Sequence, residues 1–492
     1  MISIRFRRGR SRRQLAPLWM VAAALWAFPA LAGDRPATPQ GAAALSALIA
    51  RYLPGAQAGA HPLVAVTPEG SHYLISADLS ALNGLLSDVG VSYDPAAIAY
   101  QAVEQDDGKW RLAMESLPHI AFHSKEGSGS LQLTNFRAAA LIDPAIAWLL
   151  SGSASMDKGA VQLQNPKLEQ EIDFGPVQES VATNVAGDGA VSTQVKEEIA
   201  DIALKATGAS EKDSPINFSA RAEKALVDLS VDGFKSRKAF DLWGLIAAHP
   251  TRAALAAHEA EFKGLLKELA APGLKLEEGL EAQKTVVTAS LGAIALADLK
   301  YQFGAANAGP QSSLGLSVSA EGLSLPVGLV PPNAGALTPS KIDVAATLKG
   351  VDIAAAANEW ISDLSFAGDG PILSEGNADK VEAALISSGP IRIEFAPSHV
   401  VAPALDADFA GVIHLDHNKP TAAITVHMRG FDITMAAVRA LGPDIGAKAL
   451  PGLALAKGLG KAEPDGSLSW LVELDADRSI KVNGIPFGKA PD

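Results

Sequence analysis

Four times along this chain an alternating apolar–polar run ends on Gly or Asn, meets a bulky apolar residue and passes into an alanine-rich, helix-like stretch. The four are Leu131-Gln-Leu-Thr-Asn-Phe136, Leu229-Ser-Val-Asp-Gly-Phe234, Ala346-Thr-Leu-Lys-Gly-Val-Asp352 and Thr425-Val-His-Met-Arg-Gly-Phe-Asp432. Apolar residues at every second position, as in Leu131/Leu133, Leu229/Val231 and Val426/Met428, set one face of a strand on a core. Gly233, Gly350 and Gly430 let the backbone turn out of a sheet, because glycine alone enters positive φ freely, and Asn135 is its best substitute. The apolar residue that follows can tuck under the incoming helix, whose free amides Asp352 and Asp432 are placed to cap. The expected fold class is α+β: extended, curved antiparallel β-sheets with helices packed on them, built from repeated strand–Gly/Asn–helix units.

The chain starts with a basic head, Arg5 to Arg13, that holds no acidic residue. An apolar core, Leu15 to Phe28, and the small-x-small triplet Ala30-Leu31-Ala32 follow, so residues 1–32 read as a cleavable signal peptide and the localisation expected is periplasmic. The apolar stretch is short for a membrane span. Ser11-Arg-Arg-Gln-Leu15 partly matches a twin-arginine signal but lacks its Phe and Lys. Residues 33–60 form a linker with a short docking helix at Leu45 to Leu53. An N-terminal β-rich half (61–237), a helical insertion (238–273) and a C-terminal β-rich half (274–492) complete the predicted organisation.

Within the first half, Ile98 to Gln105 and Lys109 to Leu117 predict a hairpin across Asp106-Asp-Gly108, with Trp110, Leu112 and Met114 on one face. Ile142 to Leu150 is the helix expected after the first junction. Leu255, Phe262, Leu266 and Leu269 recur at helical spacing in the long pattern Lys238 to Leu269, which Pro250 should break near His249. In the second half Ala354 to Leu364 reads as a helix, Val381 to Ile386 as a strand, and the last hairpin turns at Ala476-Asp-Arg478.

Composition excludes several classes. With no cysteine there is neither disulfide nor thiol nucleophile nor a lipid-modified N-terminal Cys, so core burial alone must hold the fold. The formal charge is −13, and residues 1–32 carry six Arg and no acid, so the chain without them stands near −19. That balance opposes nucleic acid and anionic membrane surfaces as partners. An outer-membrane barrel needs two aromatic girdles, which 5% aromatic residues cannot furnish.

Chemistry-bearing motifs are few. There is no G-x-S-x-G elbow, phosphate loop, H-E-x-x-H or EF-hand loop. Ser155-Met-Asp-Lys158 matches S-x-x-K, in which a lysine deprotonates a serine, without the supporting S-D-N and K-T-G elements. His414-Leu-Asp-His417 gathers His414, Asp416 and His417, with His427 on the next strand, as weak candidate zinc ligands; a solvated turn before Asn418-Lys-Pro420, where polar residues belong anyway, is the plainer account. His119 and His123 straddle a strand end with no carboxylate in register. Asp406 and Asp408 share a strand face, as calcium binding, acid–base chemistry or a charged edge would each have them.

Lys349-Gly-Val-Asp-Ile-Ala-Ala355, Arg429-Gly-Phe-Asp-Ile-Thr-Met435 and the closing Lys481-Val-Asn-Gly-Ile-Pro-Phe487 resemble bacterial periplasmic proteins of the YdgA-like kind and, more distantly, AsmA-like envelope proteins. The resemblance implies a Gram-negative envelope location and a long antiparallel sheet with helices laid against it. It supplies no catalytic residues, and the cleavable N-terminal segment departs from the AsmA-like anchor. The expected function is non-enzymatic, with no cofactor: a curved sheet holding a lipid or other apolar ligand, or docking an envelope protein partner. A hydrolase, metal-dependent or not, around His414, His417 and His427 is the alternative.

Overall fold

A computed structural model describes residues 36–50, 52, 63–86, 90–209, 215–326, 328–331, 333–368, 370–374, 376–387, 389–416 and 419–489. The expected signal peptide lies outside them. Among the described residues no helix is long and apolar enough to cross a membrane.

The alternating runs become strands of one antiparallel sheet, curved and unclosed. In chain order they begin β1 (Val64–Glu69), β2 (His72–Asp78), β3 (Val91–Tyr93), β4 (Ala97–Glu104), β5 (Trp110–Met114), β6 (Ile120–Ser124) and β7 (Gly127–Thr134). Next come β8 (Arg137–Asp143), β9 (Trp148–Met156), β10 (Lys158–Gln164), β11 (Leu168–Phe174), β12 (Val177–Val185), β13 (Val191–Ala209) and β14 (Pro215–Phe234). Then follow β15 (Lys275–Ala289), β16 (Gly292–Ala306), β17 (Ser312–Glu321), β18 (Lys341–Val351), β19 (Ile391–Ala402) and β20 (Leu405–Leu415). The last are β21 (Thr421–Arg429), β22 (Lys461–Ala462), β23 (Leu468–Leu474), β24 (Ser479–Val482) and β25 (Ile485–Lys489).

From β13 to β21 each strand pairs with its neighbour in sequence. On its other edge β13 changes partner partway. Its first part, Val191 to Ile199, pairs with β12, and its second, Ala203 to Gly208, with β11. Asp201, at φ +51, sits at the change. The sheet forks there. One branch runs β12–β9–β8–β5–β4–β2–β1 and the other β11–β10–β7–β6–β3. The branches bury their inner faces together: Ile75, Ile98, Trp110, Leu112 and Ile142 from one meet Tyr93 and Ile120 from the other. The hairpin β4–β5 forms as its sequence implies, with Trp110, Leu112 and Met114 buried on one side.

Helix α1 (Pro39–Ala50) closes this core with Ala42, Leu45 and Ile49, and α2 (Asn83–Leu86) is a single turn beside it. The long helical pattern breaks at His249 into α3 (Ser236–Ala248), α4 (Arg252–Ala256) and α5 (Glu259–Leu269), as Pro250 requires, with Thr251 capping α4 through the Ala254 amide. These helices do not separate two sheets, because β14 before them pairs with β15 after them from Ser219/Thr288 to Asp232/Lys275. The remaining helices are α6 (Ile353–Asp363), α7 (Asn377–Leu385), α8 (Phe431–Ala440) and α9 (Gly446–Leu459). Phe431 and Met435 of α8 and Leu453, Ala456 and Leu459 of α9 pack in one cluster with Trp470 of β23.

The junctions differ. At Gly233, Gly350 and Gly430 the backbone is left-handed and a helix follows. Asp352 caps α6 by accepting from the Ala355 amide at 2.9 Å. Asp432 does not cap α8; Gly430 holds the cap position and Asp432 accepts from Lys457 Nζ on α9. At Asn135, φ +55, the chain turns as expected but enters β8, not a helix. The helix expected over Ile142 to Leu150 is the end of β8, a turn and the start of β9. Trp148 decides this, packing edge-on against Phe234 at 5.2 Å and donating its indole N–H to Thr193 Oγ1 at 2.8 Å. A unit repeated four times is therefore not what the chain forms. The strand expected at Val381 to Ile386 is likewise helix α7, since Ala, Glu, Lys and Leu outweigh one Val and one Ile there.

Arg252 ties the helices to the segment after α6. Its guanidinium donates to the carbonyls of Ser365 and Phe366, each at 3.2 Å, and of Gly370. Arg252→Ala strands those carbonyls, so a loss of about 2 kcal/mol is expected, read as faster amide exchange across residues 364–374.

Candidate functional site

The histidine candidates do not converge. His414 lies opposite Thr421, whereas His427 lies opposite Asp408, six residues back along β20. At about 3.3 Å per residue that separates the two by roughly 20 Å, far beyond a shared metal. Asp416 follows β20, and His417 falls outside the described residues. Among the described residues no three His, Asp or Glu side chains are grouped to hold a metal ion. Ser155 and Lys158 are exposed and stand on different branches of the fork, β9 and β10. His119 precedes β6. His123, expected without a carboxylate, has Asp94 Oδ1 at 3.2 Å from its Nε2.

Asp406 and Asp408 do share a face. Asp406 takes His399 Nε2 at 2.8 Å and Arg429 at 3.3 Å, and Arg429 reaches Asp408 and Asp465 at 3.9 Å each. The His399 hydrogen bond first, and Arg429 after it, hold the Asp406 carboxyl below the ordinary carboxylate range. On this face His399, Asp408, His427 and Ser469 align across four strands. Ser469 Oγ donates to Glu463 at 2.6 Å, and His427 hydrogen-bonds neither neighbour among the described residues, so the row lacks the linked donors of a nucleophile relay. Ion pairs such as Lys224–Glu198 and Lys300–Glu281 continue across the same polar face.

The opposite face is apolar for most of the sheet's width. Register places Val227, Leu280, Tyr301, Val318 and Val344 in one row across β14 to β18. The adjacent row runs Leu229, Glu278, Phe303, Leu316, Ala346, Phe395, Gly411, Ile424, Val472 and Val482, out to β24. Neighbouring strands lie about 4.8 Å apart, so the band from β12 to β24 extends on the order of 50 Å. At its far end α9 covers it. Between, Leu280 and Leu316 stay 38% and 48% exposed.

At the near end the band passes under the fork into a cavity of about 210 Å³. Ala138 and Ala140 of β8 and Gly152 of β9 leave the space unfilled, while Ile98, Tyr100, Leu112, Ile120, Leu131 and Phe136 wall it. Burial pushes the Tyr93 phenol up and the Tyr100 phenol to about 12. Glu179 also lines the cavity and is directly opposite Glu197 of β13. Burial, then the charge of Glu197, raises the Glu179 carboxyl; burial raises that of Glu197.

A folded-state pKa above the unfolded one favours the neutral acid, so this contribution is full at low pH and is lost as pH rises through the raised values. The double variant Glu179→Gln/Glu197→Gln is therefore expected to melt higher than the parent at neutral pH. The gap should close below the ordinary carboxylate range, as calorimetric scans across pH would show.

Nothing in the sequence marks this cavity except the small residues at 138–140 and 152, which alone also suit a helix or a loop. No protein-family model matches the chain, and no curated protein or solved structure matches it.

Proposed function

We propose that the protein is an exported, periplasmic carrier or scaffold that holds a lipid chain or a comparable apolar molecule against its curved sheet. The observation that carries this is the apolar band, partly open to solvent and ending in an apolar cavity. Exposed apolar surface of this extent costs free energy unless something covers it, and contiguous patches of this kind mark binding sites. A carbon-lined cavity of about 150 Å³ stays dry and accepts a molecule the size of benzene. The space under the fork is somewhat larger, enough for one ring or a short alkyl segment, with the rest of a chain lying along the band. The basic, apolar N-terminal segment of the sequence supports export, and the resemblance to YdgA-like and AsmA-like proteins supports an envelope role. A recurrent strand–glycine–helix junction at Gly233, Gly350 and Gly430 would be part of the same shared design.

Native mass spectrometry of the purified chain, with extraction of bound lipid, tests this. Lipid released from the parent supports it; an empty chain that also fails to take up a fatty alcohol refutes it. Ala140→Leu fills the cavity and is expected to weaken fatty-alcohol binding about tenfold or more while the fold persists, because a few methylenes fit where space exists.

A further inference from the structure

Glu179 stands at the cavity's end on a face that is otherwise mostly apolar, and Glu197 of the adjacent strand lies directly opposite it, just outside the cavity lining. Like charges so placed destabilise a sheet. Neither carboxylate has an ion pair or a hydrogen bond among the described residues. The nearby lysines do not help: Lys196 alternates to the other face, as do Lys224 and Lys300, which pair there with Glu198 and Glu281. The further charges described along this face are Glu278, also negative, and, four residues along from Val227 and Leu280, Glu223 and Lys284, which pair with each other at 2.6 Å. A second observation points the same way. Tyr93, 5% exposed, and the half-buried Tyr100 line the cavity, and no hydrogen bond joins either hydroxyl to another described residue.

Building on the apolar-ligand reading above, we infer that the molecule held here is a cationic amphiphile, its tail in the cavity or along the band and its protonated amine at Glu179 and Glu197. An ammonium group carries three donors and a full charge, enough to bridge two carboxylates. An uncharged head leaves the pair uncompensated, and an anionic head adds a third negative charge. The free phenol hydroxyls can also accept from such a head.

Isothermal titration of the full chain at neutral pH with dodecylamine, dodecanol and dodecanoate tests the inference. The amine is expected to bind roughly tenfold or more tighter than the alcohol, and the carboxylate weakest. Glu179→Gln/Glu197→Gln should erase the amine's advantage and keep the alcohol's affinity; Ala140→Leu should weaken both. Including lysophosphatidylethanolamine separates sources: binding it as tightly as dodecylamine assigns the amine to a lipid headgroup, and binding dodecylamine alone assigns a single-chain amine. Equal affinity for amine and alcohol, or an amine preference that survives the double substitution, overturns the inference and leaves the apolar-ligand reading standing. No binding of any of the probes removes both.

Discussion

Trp470→Ala is expected to destabilise the C-terminal part of the sheet by about 3–5 kcal/mol, the range for deleting a buried indole. Trp470 is 8% exposed, packs on Phe431 with ring centroids 5.6 Å apart, and donates Nε1–H to the Ala456 carbonyl of α9 at 2.8 Å. Gly460 lies so close that a Cβ there would be 3.1 Å from the ring. Removing the indole thus opens a cavity and unties α9, which with Phe431 and Met435 of α8 covers the far end of the apolar band. Hydrogen exchange should accelerate across α9 before the rest of the sheet. Trp360, 40% exposed, is the control; its alanine variant should change stability by less than about 1 kcal/mol. Equal effects at the two positions would mean that α9 is not held as described.

The junction glycines give the second large effect, and a graded one. Any L-residue there meets left-handed backbone strain of about 1–2 kcal/mol. At Gly233 an added Cβ would also sit 2.3 Å from the Gly273 carbonyl oxygen, and at Gly350 2.8 Å from that of Pro390. At Gly430 the nearest atom is the end of the Ile433 side chain, at 3.6 Å. Backbone cannot retreat as a side chain can. Gly233→Ala is therefore expected to cost about 3 kcal/mol or more, Gly350→Ala somewhat less, and Gly430→Ala only the strain. Melting temperatures of the three variants check the order, and a reversed order would show that contacts at β15 and β19 do not limit these turns.

These same positions show what the sequence discloses. Gly233 and Gly350 could be read as turns into helices, and Asp352 as a cap, because local chemistry sets both. Asn135 was legible only as a turn. Arg137-Ala-Ala-Ala-Leu141 suits a helix by propensity, but pairing with β5 and β9 makes it a strand. Asp432 looked like Asp352 and acts otherwise, since Lys457 arrives from a distant segment. His414 and His427 are close in sequence and far apart in space, because a strand carries its residues away at full extension. The cavity and the facing of Glu179 and Glu197 arise from register between separate strands, which no single stretch records.

The consecutive pairing from β13 to β21 gives the molecule an adjustable length. Since each strand reverses the last, inserting or removing two adjoining strands returns the chain to the same end with its side chains facing as before. Each such step changes the span by roughly 10 Å, twice the inter-strand spacing, without disturbing the fork or the helix over Trp470. A single-strand change would reverse the direction of every later strand. Reach and terminal chemistry are thus separable in this architecture, and selection can alter the first while keeping the second.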